Sequence, residues 1–186
     1  MGYTHYFTFK VPKGIKAAKL EATYQDAILE CAKVAKAFNQ ECADKGLTDA
    51  RLSGYTAHTK LGQYGGIELN GKGDLSHEPF TLREHFKQNL EGFGNGFAFC
   101  KTARKPYDTV VVACLSILKY RLGDAIEVSS DGEAGDWVNG VLLARRTLKR
   151  KVPNPIGKAS SKSKPKENKS NQTEVQVIIF KTRRAR

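Results

Sequence analysis

The chain has 186 residues, 31 Lys and Arg against 19 Asp and Glu, and a formal charge of +12. At 40% hydrophobic residues it can bury one domain-sized core, but it is too short for a multidomain enzyme. No apolar run approaches the roughly 20 residues that span a bilayer, and Met1-Gly2-Tyr3-Thr4-His5 lacks the basic flank and apolar stretch of a secretory signal. A soluble intracellular protein is expected.

Residues Tyr3 to Lys10 alternate, with Tyr3, His5, Phe7 and Phe9 on one face and Thr4, Tyr6, Thr8 and Lys10 on the other. This predicts a strand, buried on both faces because both carry aromatics. From Ile15 to Lys45 the period becomes helical, with Leu20, Tyr24, Ile28, Cys31, Ala35, Phe38 and Cys42 on one stripe and Gly46 as the stop. Between Arg51 and Cys100 short strands and turns are expected. Residues 67–70 and 78–82 form partner strands around Asn70-Gly71 and Gly73-Asp74, one or two helical turns follow over 83–89, and another strand covers 97–100. Pro106 opens the most apolar helix, closed by Gly123 after Leu122. A strand over 125–129 leads into Ser129-Ser130-Asp131-Gly132. A last helix begins near Asp136, with Trp137, Val141, Ala144 and Leu148 facing the core. The fold class is therefore α+β: one domain over 1–152, a mixed or antiparallel sheet of five to six short strands, and three main helices.

The charge is unevenly placed. Residues 149–186 hold 12 basic and two acidic residues, or +10, which leaves only +2 for residues 1–148. Residues 153–173 read as a flexible Lys/Ser/Pro-rich linker, and 174–186 as a strand or interaction motif with a basic end. The four cysteines lack any CxxC or zinc-ligand spacing, so neither a metal nor another cofactor is expected. Cys31 and Cys42 fall on a helix stripe and read as core.

Three constellations carry chemistry. In Cys100-Lys101-Thr102-Ala103-Arg104-Lys105-Pro106-Tyr107-Asp108, three cations and a hydroxyl stand between a strand and a helix start, where the helix dipole attracts anions. The competing expectation is a solvated basic turn with Asp108 as its internal partner. Ser129, Ser130 and Asp131 end a strand and can hydrogen-bond a sugar or base, with Asp131 as a candidate general base; the same residues are also ordinary turn chemistry. His77-Glu78, with His5, makes an acid-base or metal candidate of low specificity, and His5 alone reads as a satisfied core histidine.

Met1-Gly2-Tyr3-Thr4-His5-Tyr6, Asn70-Gly71-Lys72-Gly73-Asp74 with His77-Glu78-Pro79-Phe80, Phe99 to Asp108, and Val128 to Gly132 with Asp136-Trp137 resemble a family of small uncharacterised proteins common in bacteriophage genomes and also seen in bacteria. The resemblance covers most of residues 1–137 and implies expression in a bacterial cytoplasm, not an activity. It also implies that these polar islands are to be considered together. If they converge, Lys101, Thr102, Arg104 and Lys105 hold an anion, while Asn70, His77, Glu78, Ser129, Ser130 and Asp131 surround the rest of the ligand and Tyr107 or Trp137 stacks on it. Three functions remain open. The first is a phage-type accessory protein for host takeover or counter-defence that binds a phosphorylated, nucleotide-like ligand or nucleic acid. The second is a hydrolase or transferase with His77 and Asp131 as acid-base groups, and the third is a module that binds a host protein through its C-terminal strand and basic tail. No membrane partner is expected.

Overall fold

A computed structural model describes residues 3–57, 66–91 and 94–157. The predicted strand or motif over 174–186 and nearly all of the predicted linker lie outside the described residues. The chain remains packed past residue 153: Val152 is buried, Ile156 packs on the core, and the Asn154 amide donates to the Ala134 carbonyl at 2.9 Å.

Among the described residues, two three-stranded antiparallel sheets are formed. The first has β1 (Thr4–Phe9) at its centre, flanked by β5 (Phe97–Lys101) and β6 (Ile126–Ser130). The second orders β2 (Ser53–Ala57), β3 (Gly66–Asn70) and β4 (Phe80–Arg83). Four α-helices of the described residues accompany them: α1 (Ala17–Asp44), α2 (Phe86–Leu90), α3 (Asp108–Leu122) and α4 (Val138–Leu148). The domain is α+β, as its pattern of elements predicts.

α3 is the buried centre. Every residue from Val110 to Leu118 is buried, and the Ser116 hydroxyl satisfies itself on the Val112 carbonyl at 2.8 Å. Val110-Val111-Val112 favours a strand locally, but an all-round apolar helix packed between α1 and α4 removes more surface from water. Gly140 permits the α4 approach, since a Cβ there would lie 2.4 Å from Val112 Cγ1 and 2.7 Å from the Thr109 carbonyl oxygen. The helix begins at Asp108 rather than Pro106, because residues 105–107 form turns whose carbonyls accept the Asp108, Thr109 and Val110 amides.

β1 is buried on one face, not two. Tyr3, His5, Phe7 and Phe9 face the helices, whereas Tyr6 and Thr8 on the other face remain half-exposed beside Phe97 and Phe99. The aromatic rings on that second face lie against one another instead of in a core, as in the Tyr6–Phe97 stack with centroids 6.4 Å apart. The arginines of α4 and just beyond it have internal partners. Arg146 forks onto Glu41, Arg145 donates to the Val152 carbonyl, and Arg150 reaches Glu30.

A candidate site at the His5 end of the sheet

An antiparallel central strand places its first residues beside the last residues of both neighbours. The start of β1 therefore meets the ends of β5 and β6, where the chain turns into α3 and α4. Opposite residues in register share a face, so His5 lies between Cys100 and Ser130 on the buried side. Three strand ends and two helix starts form one polar corner, assembled from the strand-end and helix-start motifs.

His5 is its centre. The imidazole is wholly buried, its Nε2 lies 2.7 Å from Asp108 Oδ1, and its Nδ1 has no hydrogen-bond partner among the described residues. Thr102, also buried, donates its hydroxyl to the same Asp108 oxygen at 2.5 Å. With Thr102 and His5 Nε2–H both donating to the carboxylate, Nδ1 carries the free lone pair. The Asp108 side chain, 16% exposed, is the member of this triplet that reaches solvent. Its place in the first turn of α3 suits the helix dipole.

Two rings pack edge-on against the imidazole, Tyr3 with centroids 5.0 Å apart and Trp137 at 5.1 Å. Both are buried, and neither Trp137 Nε1 nor Tyr3 Oη has a hydrogen-bond partner of acceptable geometry among the described residues. Burial, with the negative Asp108 and Asp136 nearby, pushes the Tyr3 phenol up to about 12, against the opposing effects of the Ser130 hydroxyl and Arg104. The phenol is therefore a neutral donor at physiological pH. Gly132 lies directly against this ring, where a Cβ would come within 2.5 Å of Tyr3 Oη.

Arg104 covers the corner. Its guanidinium lies 4.1 Å from the Tyr3 ring centroid and forks onto Asp136, with Nη1 to Oδ1 at 2.6 Å. The hydrogen bond from Arg104 holds the Asp136 carboxyl below its usual range, and Asp136 correspondingly raises Arg104. Ala103 and Arg104 adopt φ of 49° and 57°, two successive left-handed residues without glycine, each costing on the order of 1 kcal/mol or more. The Tyr3 carbonyl accepts the Thr102 and Ala103 amides and so pins this turn to β1.

The remaining sequence candidates fall in two groups. Ser130, Asp131, Thr102, Arg104 and Trp137 belong to the corner. Asp131 accepts the Thr4 amide at 3.0 Å and the Tyr6 hydroxyl at 3.1 Å, so its carboxylate ties β6 to β1, while Ser130 Oγ accepts the Gly132 amide. Ser129, opposite Tyr6, is on the other face. The second group joins the two sheets. Glu78 accepts the Lys101 amide through Oε2 and donates its own amide to the Lys101 carbonyl, and Tyr107 donates to the Glu78 carbonyl at 2.7 Å. Asn70 braces the turn by accepting the Gly71 and His77 amides and donating to the His77 carbonyl, while the His77 residue is itself exposed. Lys105 donates to the Asp74 carbonyl at 2.7 Å.

The basic turn is thus built differently from both expectations. Asp108 is paired with His5 and Thr102 rather than with the neighbouring cations, Arg104 is taken by Asp136, and the first α3 amides are closed by preceding carbonyls. Tyr3, Asp108 and Asp136 are the members that charge and spacing did not single out as site residues, and His5, a candidate only together with His77 and Glu78, is paired with Asp108 instead. The signal for Tyr3 and His5 is a polar ring on the core face of an alternating strand.

Among the described residues no three His, Cys, Asp or Glu side chains meet as metal ligands, and no helix is long and apolar enough to cross a membrane. A groove of about 650 Å³ between β4, α2 and β5 shares none of the corner's residues. Comparisons with protein-family models, with curated proteins and with solved structures find no match for this chain.

Proposed function

We propose that this chain is a phage-type accessory protein that binds a phosphorylated, nucleotide-like ligand at the His5 corner. One observation carries the reading: three buried rings in contact, Tyr3, His5 and Trp137, each keep a polar atom without a partner. Buried polar groups are ordinarily satisfied, and an unsatisfied cluster calls for a group the protein itself does not supply. An indole N–H only donates and a phenol with a raised pKa stays a donor, while the His5 Nδ1 lone pair accepts, so the complementary group offers acceptors to Tyr3 and Trp137 and a donor to His5. Arg104 beside it is an exposed cation that exchanges the Asp136 carboxylate for a ligand oxyanion. Lys101 and Lys105 support the surrounding turn. The likeness of the motifs to phage proteins supports a role in host takeover or counter-defence.

The test is mass spectrometry of small molecules released from the purified full-length protein, followed by calorimetric titration with the molecule found. Arg104→Ala is expected to fold and to weaken binding by about tenfold or more, the worth of one charge-assisted hydrogen bond. A protein that releases no phosphorylated molecule, or an Arg104→Ala variant with unchanged affinity, would overturn the proposal.

A second reading, an enzyme acting on the same ligand, is favoured by the Asp108–His5 pair. A carboxylate on Nε2 orients the ring and leaves Nδ1 without a partner, which is the geometry of a general base. In that reading His5 replaces His77 and Asp131 as the acid-base group, since both Asp131 oxygens are occupied by β1. Asp108→Asn would then abolish turnover while binding persists; unchanged turnover would exclude it.

A further inference from the structure

A second surface lies where β1 passes into α1. Lys10 to Lys16 lead into α1 with Lys16 as an extended N-cap; no side chain caps the helix and no acid stands in its first turn. For a helix of 28 residues, this leaves the positive end of the dipole uncompensated and adds lysines to it. Beside this helix start is an apolar groove of about 300 Å³, walled by Val11, Ala18, Leu20, Phe86 and Leu90. Val11 is 53% exposed and Ile15, four residues on, is 40% exposed.

Lysines outnumber acids around the groove: Lys87 and Glu21 stand in its wall, and Lys13, Lys16 and Lys19 lie on the segment from Val11 to Leu20 that forms one side. Lys13, Lys16, Lys19 and Lys87 are all exposed. The acid in the wall, Glu21, is already engaged by the Phe86 amide, the Gln25 amide and His85 Nδ1. Burial raises the Glu21 carboxyl, but these hydrogen bonds outweigh it and hold the group below its usual range. Glu21 thus serves the start of α2 and offsets one charge among the four lysines.

We propose that this groove docks an acidic peptide segment of a partner protein. One large apolar side chain enters between Val11, Leu20, Phe86 and Leu90, and flanking carboxylates meet Lys13, Lys16, Lys19 and Lys87. Apolar anchor and charged rim divide the work as in other interfaces: the anchor supplies most of the affinity and the rim steers and selects. The protein's own C-terminal residues are the wrong occupant by charge, since 149–186 carry +10. The aromatic wall of the slot, Phe86, is itself 4% exposed and leaves little face for a base to stack on, which suits a peptide better than a nucleic-acid strand.

The test uses full-length protein and a fluorescein-labelled peptide of alternating Asp and Ser with one central Phe, followed by fluorescence anisotropy at low salt. Saturable binding is expected, weakened at least about tenfold when the Phe is replaced by Ser. Ala18→Trp, at an exposed position, fills the slot and is expected to weaken binding equally with the lysines intact. Lys16→Glu with Lys19→Glu is expected to do the same with the slot intact. Arg104→Ala, at the other site, should leave peptide binding unchanged, which separates this proposal from the ligand reading. Equal binding of the Phe-less peptide, full binding by Ala18→Trp, or displacement by single-stranded DNA at lower concentration than by unlabelled peptide would overturn it. Self-association that Ala18→Trp abolishes would also overturn it, by assigning the groove to a second copy.

Discussion

Glu30 and His5 both anchor buried ionisable clusters, and they are finished differently. Glu30, on α1, receives Arg121 through Nε and Nη2 and Arg150 through Nη2, so both carboxylate oxygens are filled and α1, α3 and the chain after α4 are tied together. His5 has Asp108 on one nitrogen and nothing on the other, and the rings on either side of it also keep unpaired polar atoms. A carboxylate filled on both oxygens adds to stability, and of this cluster only Arg150 Nε is left without a partner among the described residues. An unfilled cluster is a cost that folding alone does not explain.

The largest effect that tests this contrast is at Glu30. Glu30→Gln removes the charge between two arginines, one of them also lying over the Tyr120 ring. Removing one partner of a buried ion pair costs about 3–5 kcal/mol, and the partial exposure of both arginines reduces this to about 2–3 kcal/mol, read by urea denaturation at pH 7. Burial raises the Glu30 carboxyl, but Arg121 and Arg150 outweigh it and hold the folded pKa below the ordinary value. The stabilisation is therefore fully present above the unfolded glutamate pKa of about 4.3 and is lost as pH falls through the depressed folded value. The gap between wild type and Glu30→Gln should persist from pH 7 to about 5 and close below about 4. A gap that does not vary with pH would mean that the glutamine loses packing rather than charge.

Gly132→Ala comes next. The new Cβ would fall 2.5 Å from Tyr3 Cε2 and Oη, on a ring held between His5 and Arg104. Overpacking of this kind costs about 1–3 kcal/mol. Gly135→Ala, three residues on with nothing within 4 Å of the added carbon, should stay within about 0.5 kcal/mol in the same thermal melts. If the two variants melt alike, Tyr3 is not held in place and the corner is not preorganised.

The elements of this fold were legible because each is a pattern within a few residues. The alternation of β1, the stripe of α1 and the apolar run of α3 each report the burial of a contiguous face. Burial on both faces of β1 was misjudged because Tyr6 and its neighbours on β5 cover one another, and a single strand does not reveal its partners. The corner was half legible. The motifs marked the right strand ends, but the cations at 101–105 drew attention away from the group they surround. Arg104 and Lys105 find partners 32 and 31 positions away, and His5 meets Asp108 across 103. No local spacing encodes such meetings. What the sequence does hold is the anomaly that predicts them: Tyr3 and His5, two polar rings, occupy the same face of a strand as Phe7 and Phe9.

The smallest effect is the most discriminating. Tyr3→Phe deletes a hydroxyl that is buried without a geometrically acceptable partner, and keeps the ring that carries Arg104 and packs on His5. If the hydroxyl serves only a ligand, removing it relieves a desolvation cost. Stability is then unchanged or higher by up to about 1 kcal/mol, while ligand affinity falls. If it instead belongs to a structural network through Ser130, stability falls by about 1–2 kcal/mol, as for other buried hydrogen bonds. Denaturation of the ligand-free protein distinguishes the signs. A loss at Tyr3 like the loss at Glu30 would place the two clusters in one class, and the case for a ligand would then rest on Trp137 and His5 alone.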